Sequence, residues 1–356
     1  MWTDDEITQL RAALLDWYDS EGRALPWRLR PEDRAAGLTA DPYAVWLSEI
    51  MLQQTTVPHA TPYWFRFLGL WPSVHDLAAA DREDVMREWA GLGYYARARN
   101  LHACAKVVSE TLGGVFPSDL KALRALPGIG EYTANAIRAA AFDLPASVVD
   151  GNVERVITRM VRHPDPLPGA KTAIKSMAAM LASEARPGDY AQAIMDLGAT
   201  VCSPRLPSCE TCPWTRLCAS RAAGDAERYP LKQARKPKPV RRGVAWLVRR
   251  KGAVWLRTRP DTGLLGGMRE VPSTEWVEQD LSDASEPPFR ADWASRGEVR
   301  HVFTHFELRL TVREAVAPDS WSLPDGDWVV EAGLSGEALP SVMRKVLDLR
   351  SVTQAG

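Results

Sequence analysis

These 356 residues contain no apolar run long enough to cross a bilayer. The N-terminus, MWTDDEITQL, is acidic and polar where a secretory signal would be basic and then apolar. A soluble, cytoplasmic protein with no membrane contact is therefore expected. Cysteine and histidine are scarce, five and six residues, and with no secretory signal the cysteines do not read as a disulfide framework. Net charge is lacking too, at −1, which argues against a partner held by bulk charge and leaves only local patches for an anionic one. One such patch is visible: residues 220–243 carry eight Lys and Arg against two Asp and Glu, while the sequence on either side is mildly acidic. What remains is ordinary globular material, 46% hydrophobic and 25% charged, long enough for two or three domains with sizeable cores.

The most informative stretch is LPGIGEYTANAIRAAAFDLPASVVDGNVERV, residues 126–156. Pro127 ends one apolar helical run, and Gly128 and Gly130 permit a turn of positive φ and close backbone approach before the next. Such a turn leaves N–H groups unpaired at a helix start, where the dipole also favours an anion. A helix–hairpin–helix of this kind can grip a backbone phosphate without reading a base. About twenty residues on, Asp150 is delivered to the mouth of the next helix. A phosphate grip with an acid at fixed distance suggests chemistry on a nucleotide within DNA, although an ordinary helix corner with an N-cap Asp fits the same residues.

Ahead of it, residues 6–18 have helical periodicity, with Ile7, Leu10, Leu14 and Trp17 on one stripe. Arg23-Ala24-Leu25-Pro26-Trp27-Arg28 follows as a turn, its Trp able to stack on a base or simply to plug a core edge. Asp41-Pro42 begins a helix with Pro at its first position. Glu49 stands there among Val45, Trp46, Ile50 and Met51, where desolvation would raise its pKa and suit it to general-acid work near neutral pH. Ser48 and Gln53 indicate a polar side to the same helix, so a surface Glu is the plainer reading. Gly91-Leu92-Gly93-Tyr94-Tyr95-Ala96-Arg97 sets two aromatics beside arginine after a glycine turn, suited to a wedge between bases or to a tight helix corner. Cys104 reads as a small buried hydrophobe. With no convincing alternating strand before residue 200, the first part is expected to be all-α.

Four of the five cysteines then fall within 17 residues, Cys202-x6-Cys209-x2-Cys212-x5-Cys218. No His lies among them, so four thiolates are implied, which spacing alone assigns equally to zinc or to a [4Fe–4S] cluster. Arg205 and Arg216 give the loop positive charge. Beyond the basic stretch the texture changes. Val244–Arg250 and Ala253–Thr258 around Lys251-Gly252 predict a β-hairpin, and residues 298–316 alternate as one strand, with Val302, Thr304, Phe306, Leu308 and Leu310 on one face. A terminal helix over 339–349 closes an α+β domain. The organisation expected is thus an all-α domain over 1–219 including the cysteine loop, a basic linker over 220–243 and an α+β domain over 244–356.

Taken together, SEIMLQQTTV, GLGYYARARNL, LPGIGEYTANAI, VDGNVERV and the cysteine pattern resemble the adenine DNA glycosylases of the MutY type, within the helix–hairpin–helix base-excision repair superfamily, along nearly the whole chain. The resemblance implies a multidomain fold with a helix–hairpin–helix glycosylase domain and a C-terminal Nudix-like domain. It turns the cysteines toward [4Fe–4S] over zinc, and implies a monomeric enzyme acting on double-stranded DNA that carries adenine opposite 8-oxoguanine or guanine. On it, Glu49 is the acid that protonates adenine N7, Asp150 stabilises the oxocarbenium-like sugar or captures it, and Tyr132 and Asn152 support that centre. Arg23, Leu25, Trp27, Arg28 and Gln192 line the extruded-base pocket, and Leu52, Gln54 and Tyr95 fill the duplex. Gly128, Gly130 and Arg205 meet the DNA backbone. Tyr132 stands where strand-cutting relatives carry a Schiff-base Lys, which implies base removal with at most weak lyase activity. Phe303-Thr304-His305 matches the family's lesion-reading Phe-Ser-His, while Arg269 departs from the usual aromatic. The acidic, metal-binding Nudix box is absent.

Overall fold

The computed structural model describes residues 2–233, 237–279, 286–321 and 325–349. The chain forms two compact units, Met1–Ala80 with Asn100–Ala234, and Asp81–Arg99 with Arg235–Gly356. No helix among the described residues is long and apolar enough to cross a membrane.

The first unit is helical. Its opening helix, Asp4–Glu21, starts at a reciprocal cap in which Thr3 and Glu6 bond each other's backbone amides. Leu10, Leu14 and Tyr18 from it pack against Val153, Val156 and Ile157 of the Gly151–Val161 helix and Tyr190 and Ile194 of the Pro187–Asp196 helix. Trp214, from beside the cysteines, is buried in the same core and donates its indole N–H to Leu10 O at 2.8 Å. The Pro42–Met51 helix begins as its sequence predicts, with Pro42 at the first position and the Asp41 carboxylate accepting from Tyr43 N at 2.9 Å.

The expected linker is shorter than 220–243. Arg159 donates to Tyr229 O, Arg162 pairs with Asp225 at 2.7 Å and Leu167 N donates to Leu231 O, so residues up to 233 are fixed to the helical unit. At the other end a strand already begins at Val240. The basic charge marked that stretch as solvated, but the apolar Tyr229 and the buried arginine reaching it decide otherwise. Residues 234–236 lie outside the described residues.

Among its described residues the second unit carries a sheet of six strands: β1 Val240–Arg250, β2 Ala253–Thr258, β3 Arg269–Glu270, β4 Ala294–Val302, β5 Glu307–Val316 and β6 Gly326–Val330. Their order is β3-β2-β1-β5-β4, with β6 also paired to β2, and β1 runs parallel to β5. Lys251 and Gly252, at φ 49° and 77°, make the predicted tight turn between β1 and β2. The Ser341–Asp348 helix, also anticipated, buries Val342, Met343 and Val346 against Leu247, Leu308 and Leu310. Asp81–Arg99 is tied in through Arg82, which grips Asp261 at 2.6 and 2.9 Å, and Arg99, which donates to Gly266 O.

The single strand expected over 298–316 is two. The chain reverses at 303–306, where Phe303 N donates to Phe306 O at 2.9 Å, and β4 then pairs antiparallel with β5. Val302 is 61% exposed while Phe306, Leu308 and Leu310 are buried, so the alternation that linked them was accidental. No Gly or Pro announces this turn.

Candidate active site

The hairpin is built by two helices, Leu120–Ala125 and Glu131–Phe142. Leu126 and Ile129 are buried and pin the turn from below, leaving Gly128 and Gly130 exposed. Gly128 adopts φ 76°, and a Cβ there would lie 2.8 Å from the Asn100 Cβ, so both conformation and space require glycine. No side chain caps the Glu131–Phe142 helix. Its first amides are thus available to an anion, as the sequence suggested.

Behind this turn stand the two carboxylates. Every residue of the Pro42–Met51 helix from Val45 to Met51 is buried. Ser48 does not mark a polar side, because it too is buried, with its hydroxyl donating to Val45 O at 2.7 Å. Glu49 is therefore a core carboxyl. Burial pushes it up to about 7, against the pull of the Arg28 guanidinium and a hydrogen bond with Tyr132, while nearby Asp150 adds to the rise. Burial, then the negative charge of Glu49, holds the Tyr132 phenol well above its ordinary range. Its O–H lies 3.4 Å from Met195 Sδ, and the same phenol is the donor whose hydrogen bond favours ionised Glu49 against its burial.

Asp150 caps the Gly151–Val161 helix. Its Oδ1 accepts from Asn152 N and Val153 N at 2.9 and 2.8 Å, and its Oδ2 from Asn152 Nδ2 at 2.8 Å. Three N–H donors converge on it, so this carboxylate is fixed in place and its surroundings differ from those of Glu49. Asn152 is held in turn by Arg155, whose Nη2 donates to Asn152 Oδ1 at 2.9 Å and to Gly198 O at 2.6 Å, and whose Nε donates to Cys202 O at 2.8 Å. Arg155 lies one helical turn beyond Asn152 and was not singled out in the sequence.

The expected pocket residues divide. Arg23 and Arg28 converge on one carboxylate, Asp196, which is fully buried. Leu25 is half-buried at the same turn. Trp27 is buried, its ring 5.7 Å from that of Trp64 in an edge-on contact. Gln192 is buried; its amide N–H donates to Gly188 O at 3.0 Å and its Oε1 has no partner among the described residues. Asp196 was missed, although it stands four residues after Gln192 on the same helix face.

Of the expected duplex-filling residues, Leu52 is half-buried and Gln54 exposed at φ 59°. Tyr95 is buried, at 7% exposure, whereas Tyr94 is 55% exposed at φ 49°. A buried ring cannot enter a base stack without leaving its core, so the exposed member of the pair is Tyr94, and the assignment to Tyr95 is corrected.

The four cysteines line one cavity with Arg159, Met160 and Leu197. Burial pushes the Cys212 thiol up to about 12, with the neighbouring cysteines adding to the rise. Arg159 donates to Cys202 Sγ at 3.3 Å and to the carbonyls of Ser203 and Pro204 at 2.7 and 2.9 Å. Among the described residues no three His, Cys, Asp or Glu side chains are drawn in to metal-binding distance. The donor set nonetheless fits a thiolate-ligated metal centre: four sulfurs face one cavity, with a buried guanidinium beside them to offset thiolate charge. Arg205 is exposed on the loop.

In the second unit, Thr304 and His305 are exposed at the β4–β5 turn, so Thr304 is not a core-facing strand residue. Phe303 is held by Trp276, stacked at 5.8 Å, and by Lys238 Nζ on its carbonyl at 2.7 Å. Arg269 pairs with Asp327 and Glu337 at 2.6 and 3.1 Å, which accounts for a cation at that position.

Residues 47–182 match the family of the HhH-GPD superfamily base excision DNA repair protein, and residues 243–349 match the NUDIX domain. The chain is 35% identical to the adenine DNA glycosylase of Homo sapiens, over 99% of its own length and 76% of the relative's. To the adenine DNA glycosylase of Mycolicibacterium smegmatis it is 41% identical, over 59% of this chain and 69% of that one. Among solved structures, a thermostable thymine-DNA glycosylase superposes with TM-score 0.55 at 28% identity, over 62% of this chain and 98% of the other.

Proposed function

Since the chain belongs to the adenine DNA glycosylase family and is thus a base-excision repair hydrolase of N-glycosyl bonds in DNA, we propose that its substrate is adenine opposite 8-oxoguanine or guanine, and that Glu49 and Asp150 carry the reaction. The hairpin amides at Gly128 and Gly130 grip a phosphate while the adenosine is extruded, an unstacking cost of a few kcal/mol offset by Leu52, Gln54 and Tyr94 entering the duplex. Arg23, Leu25, Arg28 and Gln192 hold the base. Protonated Glu49 gives its proton to adenine N7, the bond from C1′ to N9 breaks, and the base leaves with the bonding pair. Asp150, held by its three N–H donors, stabilises the oxocarbenium-like sugar until water attacks C1′ and loses a proton.

The observation that carries this reading is Glu49: a core carboxyl pushed up to about 7 beside an Asp spent on three N–H donors. Two carboxylates with such different surroundings suit an acid and a charge stabiliser. Tyr132 cannot form the imine that strand scission needs, so base removal proceeds with at most weak lyase activity.

Cys202, Cys209, Cys212 and Cys218 would hold a [4Fe–4S] cluster, in preference to zinc. When bound, that group supplies metal–thiolate bonds that clip the loop to the helical unit. Arg205 then meets a backbone phosphate, and Phe303, Thr304 and His305 meet the opposite base. The enzyme acts as a monomer, its helical unit serving as the glycosylase and its sheet unit, whose first strand begins at Val240, reading the lesion. One experiment tests the whole: incubation with duplexes carrying A opposite 8-oxoguanine, A opposite G, or thymine glycol, with and without alkali. Alkali-dependent cleavage of the first two alone is expected. Cleavage of the thymine glycol duplex, or of none, would refute the reading.

A further inference from the structure

Asp196 ends the Pro187–Asp196 helix with its side chain fully buried. Its Oδ1 accepts from Arg23 Nε and Nη2 at 2.8 and 2.6 Å, and its Oδ2 from Arg23 N at 2.9 Å and Arg28 Nη1 at 2.8 Å. One carboxylate therefore fixes both ends of the turn that opens the proposed base pocket, and is the shared counter-ion of two guanidiniums. Against the burial that would raise it, Arg28 and Arg23 hold its carboxyl below the usual range. Arg28 is the point of contact with the chemistry, because it also lies within electrostatic reach of Glu49.

We infer that Asp196 is a positioning residue for base excision, binding Arg23 and Arg28 at the pocket and keeping the Arg28 guanidinium from pairing with Glu49; this rests on the glycosylase reading above. The argument is one of competition for a cation. Without the negative charge of Asp196, two guanidiniums at one turn would repel, and the nearest anion that Glu49 can become would attract Arg28. Arg28 would then stabilise ionised Glu49, which has no proton to give. The other groups do not substitute. Facing Glu49 besides Arg28 are the Tyr132 phenol and Asp150. On the far side, Tyr18 faces Arg28 and Asp196, with Asp189 and Arg34 beyond it. Asp189 already pairs with Arg34 and Arg186 at 3.3 and 2.9 Å, and Asp150 is spent on backbone and amide donors.

The test is single-turnover excision from a duplex with A opposite 8-oxoguanine, followed across pH with the full chain. For the unaltered protein the rate falls as pH rises through about 7, as Glu49 ionises. In Asp196→Asn that fall should occur about one pH unit lower, with a loss of about tenfold above neutrality, less loss under acid conditions, and duplex affinity near wild type. Asp196→Glu, which keeps the charge, should restore the profile. In an Arg28→Gln background Asp196→Asn should move the midpoint no further, because its effect runs through Arg28. Arg28→Gln alone, which does not depend on the folding of an Asp196 variant, should raise the midpoint by less than Asp196→Asn lowers it. A rate lowered equally at all pH values means that Asp196 only braces the turn, and overturns the inference. So does an equal midpoint shift with and without Arg28, or a larger shift from Arg28→Gln. An unaltered protein that excises no adenine at any pH overturns the glycosylase reading itself.

Discussion

Glu49 gains its chemistry from position alone. A carboxyl on a solvated helix face would be ionised at neutral pH, and the same group among Trp46, Ile50 and Met51 is kept near half-protonation. The price is stability. The folded-state value, about 7, lies above the 4.5 of an exposed Glu, so between those values the folded protein binds more protons than the unfolded. Stability from this group is fully present below the unfolded value and is lost as pH rises through the folded one, a swing of about 3 kcal/mol. Glu49→Gln should therefore abolish excision, leave duplex binding nearly intact and melt higher than the unaltered protein above pH 7, with the advantage vanishing toward pH 4. Single-turnover excision and thermal melts at both pH values check it; excision near the wild-type rate removes Glu49 from its role. The neighbouring tyrosines offer a second contrast. Tyr94→Ala should weaken duplex binding by the worth of a stacked base, about 1–3 kcal/mol, with an unchanged melt. Tyr95→Ala should lower the melting temperature, since it opens a cavity. Equilibrium binding and calorimetry separate the two, and the reverse pattern would return the wedge to Tyr95.

At the scale of elements, what sequence disclosed was whatever leaves a local mark. Pro127 and the paired glycines announce the hairpin, Asp41-Pro42 a helix start, Lys251-Gly252 a tight turn and the cysteine spacing a loop whose four thiols line one cavity, because each rests on backbone or side-chain chemistry within a few residues. Hidden features depend on long-range packing. The β4–β5 reversal has no turn residue and is set by β5 pairing with β1. Trp27 faces inward because Trp64, far along the chain, receives it. Asp196 acquires its meaning from arginines more than 165 residues away. The cysteine loop depends on both kinds of information: its ligands are local, its seat is Arg159 and Trp214 in the helical core. Removing one ligand should thus be felt as a folding defect. Cys209→Ser or Cys212→Ser should give poorly soluble protein with weakened DNA binding, since thiolate–metal binding free energy is folding free energy. Anaerobic purification with iron and sulfide analysis is the accompanying check, and zinc without iron would replace the cluster while leaving the clip.

The whole chain joins a helical unit that holds both carboxylates to a sheet unit that holds Phe303, Thr304 and His305, with Tyr94 grouped with the sheet. The residues proposed to break the bond and those proposed to read the opposite base are therefore in different compact units, and the two properties should be separable by substitution. Simple truncation is a poor way to separate them, because Asp81–Arg99 relies on Asp261 and Gly266 for its anchoring. A point change at the β4–β5 turn is cleaner. Thr304 is exposed there, while its neighbour Phe303 is pinned by Trp276, so a hydroxyl is presented on a fixed support. 8-Oxoguanine differs from guanine by an oxygen at C8 and a proton at N7, and a hydroxyl can answer either. One such hydrogen bond is worth about 0.5–1.5 kcal/mol net, or about two- to tenfold in affinity. Thr304→Val keeps the shape and removes the hydroxyl. It should lower the ratio of affinities for duplexes with 8-oxoguanine and with guanine opposite adenine by about that factor, with excision at saturating enzyme unchanged. His305→Ala, on the same exposed turn, reports whether the imidazole shares the reading or holds the strand: the first lowers the ratio, the second lowers both affinities together. A ratio that survives Thr304→Val in a folded protein would mean that the lesion is read elsewhere, and that the exposed hydroxyl serves only the turn.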